Sequence, residues 1–160
     1  MYKFFLTLHI LAVVVGIGSN TLNGVYAAKA KKLGGAAQGA VMRVNFDVSM
    51  LAEKIVYLIP IFGFILMAIP QSGQHPWKFG QTWIWLSLVL YVVAIGIVHG
   101  VMVPGAKRLQ ALGQKLAGGE GAPQDGAEVV GTEQRVAIGV MVLNLLLVVL
   151  IALMIWKPGV

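Results

Sequence analysis

The sequence predicts an all-α polytopic membrane protein, folded as an antiparallel four-helix transmembrane bundle that occupies the whole of residues 1–160. The first observation behind this is charge. No Asp, Glu, Lys or Arg occurs from Phe4 to Ala28, from Ile55 to Trp77, from Phe79 to Ala106, or from Val136 to Trp156. Each stretch exceeds the ~20 residues a helix needs to cross a ~30 Å hydrocarbon core. In lipid every backbone amide must be paired within its own segment, which dictates helices. The second observation is composition. The chain is 58% hydrophobic and 11% charged, against about 25% charged in soluble domains.

The four spans fall at about 3–27, 45–69, 81–103 and 134–156. The first follows Lys3 as an apolar run too long for a signal-peptide core and broken by Gly18-Ser19-Asn20-Thr21, so it reads as a retained span. The first connection, Lys29 to Gly39, holds Lys29, Lys31 and Lys32 before Gly34-Gly35. The second, Pro70 to Gly80, is turn-like. The third, Pro104 to Gly131, carries seven glycines and Pro123 and reads as a mobile loop. Pro60 should kink the second span and free the carbonyl of Val56.

Cationic residues orient the bundle. Lys29, Lys31, Lys32, Arg43, Lys107, Arg108, Lys115 and Arg135 flank the first and third connections, whereas Lys3, Lys78 and Lys157 lie on the other side. By the positive-inside rule the first group is cytoplasmic and both termini are outside. The expected location is a bacterial cytoplasmic (inner) membrane. The lysines at 29, 31 and 32 would meet anionic lipid headgroups. This distribution also accounts for the formal charge of +6 without nucleic acid, for which no binding motif is present. The absence of cysteine excludes disulfides, thiolate metal sites and a Cys nucleophile. No hydrolase, zincin, Walker or dinucleotide motif occurs, and no metal site or catalytic residue is assigned.

Polar residues inside the spans are costly and therefore informative. His9, Gly16, Asn20, Asn23 and Ala27 lie within about 40° of one line on the first helix and should face the interior. Gly16 and Ala27 would permit close helix approach. The second helix presents Ser49, Glu53, Tyr57, Pro60, Phe64 and Met67 on one stripe. Glu53 needs a partner or a proton if it lies in lipid, and Arg43 with Asp47 forms a plausible i,i+4 pair on another face. In the third helix Gly96 and Gly100 make a small-xxx-small pattern beside His99, expected to pack against a helix of the chain or of another copy. Asn144 is the polar residue of the fourth span, placed for an interhelical hydrogen bond.

The two span histidines do not suit one haem iron. His9 lies six residues beyond Lys3 and His99 eight residues before Lys107. That leaves about 9–10 Å of depth between them, against about 4 Å between two axial nitrogens.

The opening Lys3-Phe-Phe-Leu-Thr-Leu-His9-Ile-Leu-Ala-Val-Val resembles the first span of the bacterial superfamily that groups CopD-type copper-resistance membrane proteins and HemJ-type protoporphyrinogen oxidases. With the four-span layout and the run from Trp85-Leu-Ser-Leu to Val103-Pro104-Gly-Ala-Lys-Arg108, it is most similar to an uncharacterised "predicted integral membrane protein" family. The HemJ resemblance implies haem b as cofactor with His9 as ligand. The chain departs from those enzymes at Gly18-Ser-Asn-Thr-Leu-Asn-Gly24, where they carry a Trp-containing, Leu-Pro-Arg-like segment.

Three functions follow as expectations. The first is a structural or accessory inner-membrane component without enzymatic chemistry, acting as a homo-oligomer or beside a membrane-protein partner. The second is a haem-b redox protein using His9. The third is a small proton- or ion-coupled permease using Glu53 and His99, with Asn20 at a similar depth.

Overall fold

The computed structural model describes residues 1–69 and 77–159; within it, the side chains of residues 19–21, 23, 24, 27, 31, 36 and 117 lie outside the description. The described chain is helical with no strand. Its elements are α1 (Tyr2–Leu33), α2 (Gly35–Val56), α3 (Leu58–Ala68), α4 (Thr82–Ile97), a π-helical turn (Val98–Met102), α5 (Val103–Ala117) and α6 (Pro123–Trp156).

Two hairpins make up the fold. In the first, α1 reverses at Gly34 and Gly35, whose φ angles are 68° and 51°. An L side chain in that left-handed region costs ~1–2 kcal/mol, so glycine makes the reversal possible. The returning chain then packs antiparallel along α1. Gly16 meets Val56 so closely that a Cβ would lie 3.0 Å from Val56 Cγ2 and 3.2 Å from the Val56 backbone nitrogen. The close approach expected at Gly16 is therefore real. Ala27, Asn20 and Asn23 have side chains outside the described set.

The second span does not run as one helix over 45–69. It begins at Gly35 and breaks at Tyr57 between α2 and α3. Pro60 supplies the cause, because it has no N–H for the carbonyl of Val56. Tyr91 satisfies that carbonyl from α4, donating its hydroxyl over 3.3 Å. Tyr91→Phe would leave the carbonyl unpaired and should lower stability by about 1 kcal/mol. The check is the midpoint of denaturant unfolding in mild detergent; an unchanged midpoint would contradict the assigned bond.

In the second hairpin α4, the π-turn and α5 run antiparallel to α6. Gly139 sits against Met102, Val101 and Ile97, and Gly105 against Val136 and Thr132. The π-turn precedes Pro104, whose ring crowds the carbonyl of Gly100 and cannot bond it. A wider turn relieves that conflict.

The connection from Pro104 to Gly131 is not a mobile loop. Helix α5 continues to Ala117, α6 starts at Pro123, and only Gly118–Ala122 separates them. Charge pairing explains the difference. Arg108 holds Glu128 bidentately, with Nε–Oε1 at 2.6 Å and Nη2–Oε2 at 2.8 Å. Lys115 Nζ lies 2.8 Å from Asp125 Oδ2. The same carboxylate oxygen accepts the Ala122 amide at 2.7 Å and so caps the first turn of α6. The spread glycines conceal this pattern, because acid and base are far apart in sequence. Asp125→Ala should speed amide exchange at the start of α6 while leaving the middle of α4 unchanged, as read by hydrogen-exchange mass spectrometry.

Among the described residues three helical rods are long and apolar enough to cross a membrane: Ala37–Ala68, taken across the break at Tyr57, Thr82–Leu116, taken across the π-turn, and Pro123–Trp156. The described apolar part of α1, Tyr2–Gly18, is shorter. The rods exceed the span lengths expected from sequence, since charged residues such as Lys107 and Arg108 continue the helix beyond the hydrocarbon instead of ending it. The distribution of side chains fits an apolar medium. Large residues such as Val92, Ile138, Leu145, Val148 and Ile155 are more than 60% exposed. The buried set is sparse and mostly small or medium, including Ala12, Ala30, Ala52, Ile59 and Ile84. A water-soluble fold would bury these large residues.

At the end of the molecule where α4 begins and α6 ends, Trp77 and Trp83 meet edge to face with centroids 5.4 Å apart. The Lys157 ammonium lies 4.3 Å from the Trp77 ring centroid. This ties the C-terminal end of α6 to the start of α4.

Candidate functional site

Glu53, Tyr57 and His99 come together where the first hairpin meets the second. Glu53 and Tyr57 are four residues apart around the α2–α3 break, so one helical turn stacks them on one face. His99 reaches them from the π-turn, a feature found often at functional sites. Tyr57 Oη lies 3.1 Å from Glu53 Oε1 and 2.7 Å from His99 Nε2. His99 Nδ1 is 3.5 Å from Glu53 Oε1, an ion pair when the imidazole is protonated. The Tyr57 and His99 rings stack at 29° with centroids 6.4 Å apart.

A proton count shows what this cluster can do. A phenol has one proton to donate. If Tyr57 donates to Glu53, then His99 Nε2 must carry its own proton and donate to the phenol oxygen. If Tyr57 donates to a bare Nε2, Glu53 Oε1 loses that bond unless it carries a proton of its own. The three groups thus hold protons in more than one arrangement without moving a backbone atom. Glu53 is the inward member, its side chain 15% exposed, whereas the His99 side chain is 49% exposed.

Glu53 also lines a cavity of about 620 Å³ between the hairpins. The walls are chiefly apolar, and among the described residues the charged ones that line it are Arg43 and Glu53. Arg43, Gln110 and Gln114 lie toward the helix ends that carry the Gly34–Gly35 and Gly118–Ala122 turns, while Glu53, Val56 and Tyr91 lie deeper. Asn144 of α6 also faces this space. Among the described residues Arg43 and Asp47 form no ion pair, contrary to the i,i+4 expectation; a turn of helix brings them within reach but solvation competes at exposed positions.

His9 occupies a separate place. It is buried at 8% exposure, and its Nδ1 lies 3.0 Å from the carbonyl oxygen of Ile59. Gly63 lies beside its ring; a Cβ there would stand 3.6 Å from His9 Cε1, an ordinary van der Waals contact. Because a carbonyl only accepts, Nδ1 carries the proton in this bond and Nε2 retains its lone pair. Gly96 and Gly100 have open space at their α-carbons, so among the described residues neither packs against another helix of this chain. No group of three or more His, Asp or Glu side chains suited to a metal occurs among the described residues.

Sequence reasoning paired Glu53 with His99 by depth and placed Tyr57 on the Glu53 stripe, but did not join all three. It missed Tyr91. The available signal was the carbonyl that Pro60 frees, which calls for a donor from a neighbouring helix.

A family model described as "Predicted integral membrane protein (DUF2269)" matches residues 3–158. The chain belongs to this family. The match covers both hairpins and every residue of the Glu53–Tyr57–His99 cluster, so cluster and cavity lie within the family's own domain. No curated protein and no solved structure shows significant similarity to the chain.

Proposed function

We propose that this DUF2269 member is a small proton-coupled membrane carrier. The observation that carries the reading is that Glu53 belongs at once to the hydrogen-bonded Tyr57–His99 cluster and to the wall of the 620 Å³ cavity. A carboxylate at membrane depth is expensive unless it has a role or a partner. Here its partners are a phenol and an imidazole, groups that both donate and accept protons. A purely structural component has no need of such an arrangement beside an open chamber. Proton movement into proteoliposomes under an imposed potential tests the reading; vesicles with the protein as tight as empty ones would reject it.

The carrier is taken to have four spans, with α1 as the first, in a bacterial inner membrane with both termini outside. Lys29, Lys31 and Lys32 then meet anionic headgroups, and the open Gly96 and Gly100 face supports association with a second copy. Membership of the wider superfamily of CopD-type and HemJ-type proteins is part of the same proposal.

One observation favours a second reading. The Nδ1–Ile59 bond leaves His9 Nε2 as the free nitrogen, the arrangement in which a backbone carbonyl orients a metal-ligating imidazole. His9 would then hold haem b. Protein purified from haem-replete cells should show a Soret band that His9→Ala removes and His99→Ala retains. A spectrum without the band rejects the haem reading.

A further inference from the structure

The cavity has the shape and charge of a site for one kind of molecule. Its volume of about 620 Å³ falls within the ~300–1,000 Å³ typical of small-ligand sites. It is elongated: Arg43 and Val56, thirteen residues apart on α2, both line it, which is roughly 20 Å along a helix. Leu143, Leu147 and Leu150 continue the apolar wall on α6. At the other end Arg43, Gln110 and Gln114 line the cavity together.

Arg43 decides the polarity of the ligand. It lines the cavity, and no acid pairs with it among the described residues. The cavity's carboxylate, Glu53, is ten residues away on the same helix, about 15 Å along the axis, and is engaged with Tyr57 and His99. A guanidinium binds a carboxylate bidentately, and its donors would be joined by those of the two glutamines. A chiefly apolar cavity with an arginine toward one end, unpaired among the described residues, matches a single hydrocarbon chain with one anionic head.

We propose that the cavity binds a fatty-acid-type amphiphile, taken from the bilayer, with its carboxylate at Arg43 and its chain running toward Val56 and Leu150. This deepens the carrier reading by naming its cargo, and it rests on that reading only for the step of transport. Occupation by a helix of a second copy is the competing outcome.

The test uses the full chain in phosphatidylcholine nanodiscs with nitroxide-labelled hexadecanoate as probe. Electron paramagnetic resonance should show an immobilised component that unlabelled hexadecanoate displaces. Arg43→Gln should weaken binding about tenfold or more, and Arg43→Lys, which keeps the charge but not the two-pronged fork, should restore it only in part. The labelled methyl ester should bind weakly and alike to wild type and Arg43→Gln. Leu147→Trp, which fills the chamber, should remove the immobilised component. The proposal is overturned if wild type gives no displaceable component, if Arg43→Gln binds the acid as wild type does, or if the ester binds as tightly as the acid. Crosslinking that places a second copy's helix in the chamber overturns it as well. Binding with no proton movement would sink the carrier reading alone; proton movement without binding would sink the cargo alone.

Discussion

Glu53→Gln is expected to lower proton movement across proteoliposome membranes at least about tenfold. Glutamine keeps the size of the side chain and can still meet Tyr57, whose hydroxyl lies 3.1 Å from Glu53 Oε1. It cannot exchange a proton, and it removes the carboxylate oxygen that stands 3.5 Å from His99 Nδ1. The amide can turn to accept from the phenol or donate to it, but the cluster loses the one acid able to take up and pass on a proton. Tyr57→Phe removes the bridging hydroxyl but leaves the ring stacked on His99, so it should reduce movement less than Glu53→Gln. A pH-sensitive dye trapped in the vesicles reads the rate. Circular dichroism and elution volume establish that each variant is folded. Equal rates for wild type and Glu53→Gln would remove the basis for calling this cluster functional.

The second large effect concerns the seam of the first hairpin. Gly16→Leu should destabilise the protein by about 1–3 kcal/mol or more. A Cβ at this position would stand 3.2 Å from the backbone nitrogen of Val56. Backbone cannot swing aside as a flexible side chain can, so α1 must separate from the α2–α3 junction. That junction carries Tyr57 and accepts the Tyr91 hydrogen bond, and its displacement should also loosen the Tyr57–His99 contact. Unfolding midpoints in mild detergent, compared with Gly18→Leu, provide the measurement. Gly18 has open space at its α-carbon, so the control should be close to neutral. Similar midpoints for the two variants would show that the seam is not as tight as drawn.

How much of this was legible beforehand differs by residue. Glu53 and His99 stood out because each is a titratable group inside an uncharged stretch, and their depths matched. Pro60 announced a free carbonyl at Val56. Tyr91 remained hidden, since a tyrosine in an apolar run is ordinary until its neighbour across the helix interface is known. The ion pairs from Arg108 to Glu128 and from Lys115 to Asp125 were equally obscure, being twenty and ten residues apart in sequence. The glycines between them therefore read as loop. The glycines at 96 and 100 have open space at their α-carbons among the described residues, so of the two packing partners their spacing suggests, a helix of this chain is not the one seen there.

The amino-acid order by itself determined the medium and the helices. Uncharged stretches longer than a bilayer is thick leave the backbone no other way to pair its polar groups. Proline and glycine positions determined where those helices bend and reverse, because their effect is local. Only the tertiary structure decided which polar side chains meet, where the hairpins part to leave a cavity, and that Arg43 lines it with no acid paired to it among the described residues. Those outcomes depend on register and rotation between helices, to which an almost uniformly apolar surface contributes no periodic signal.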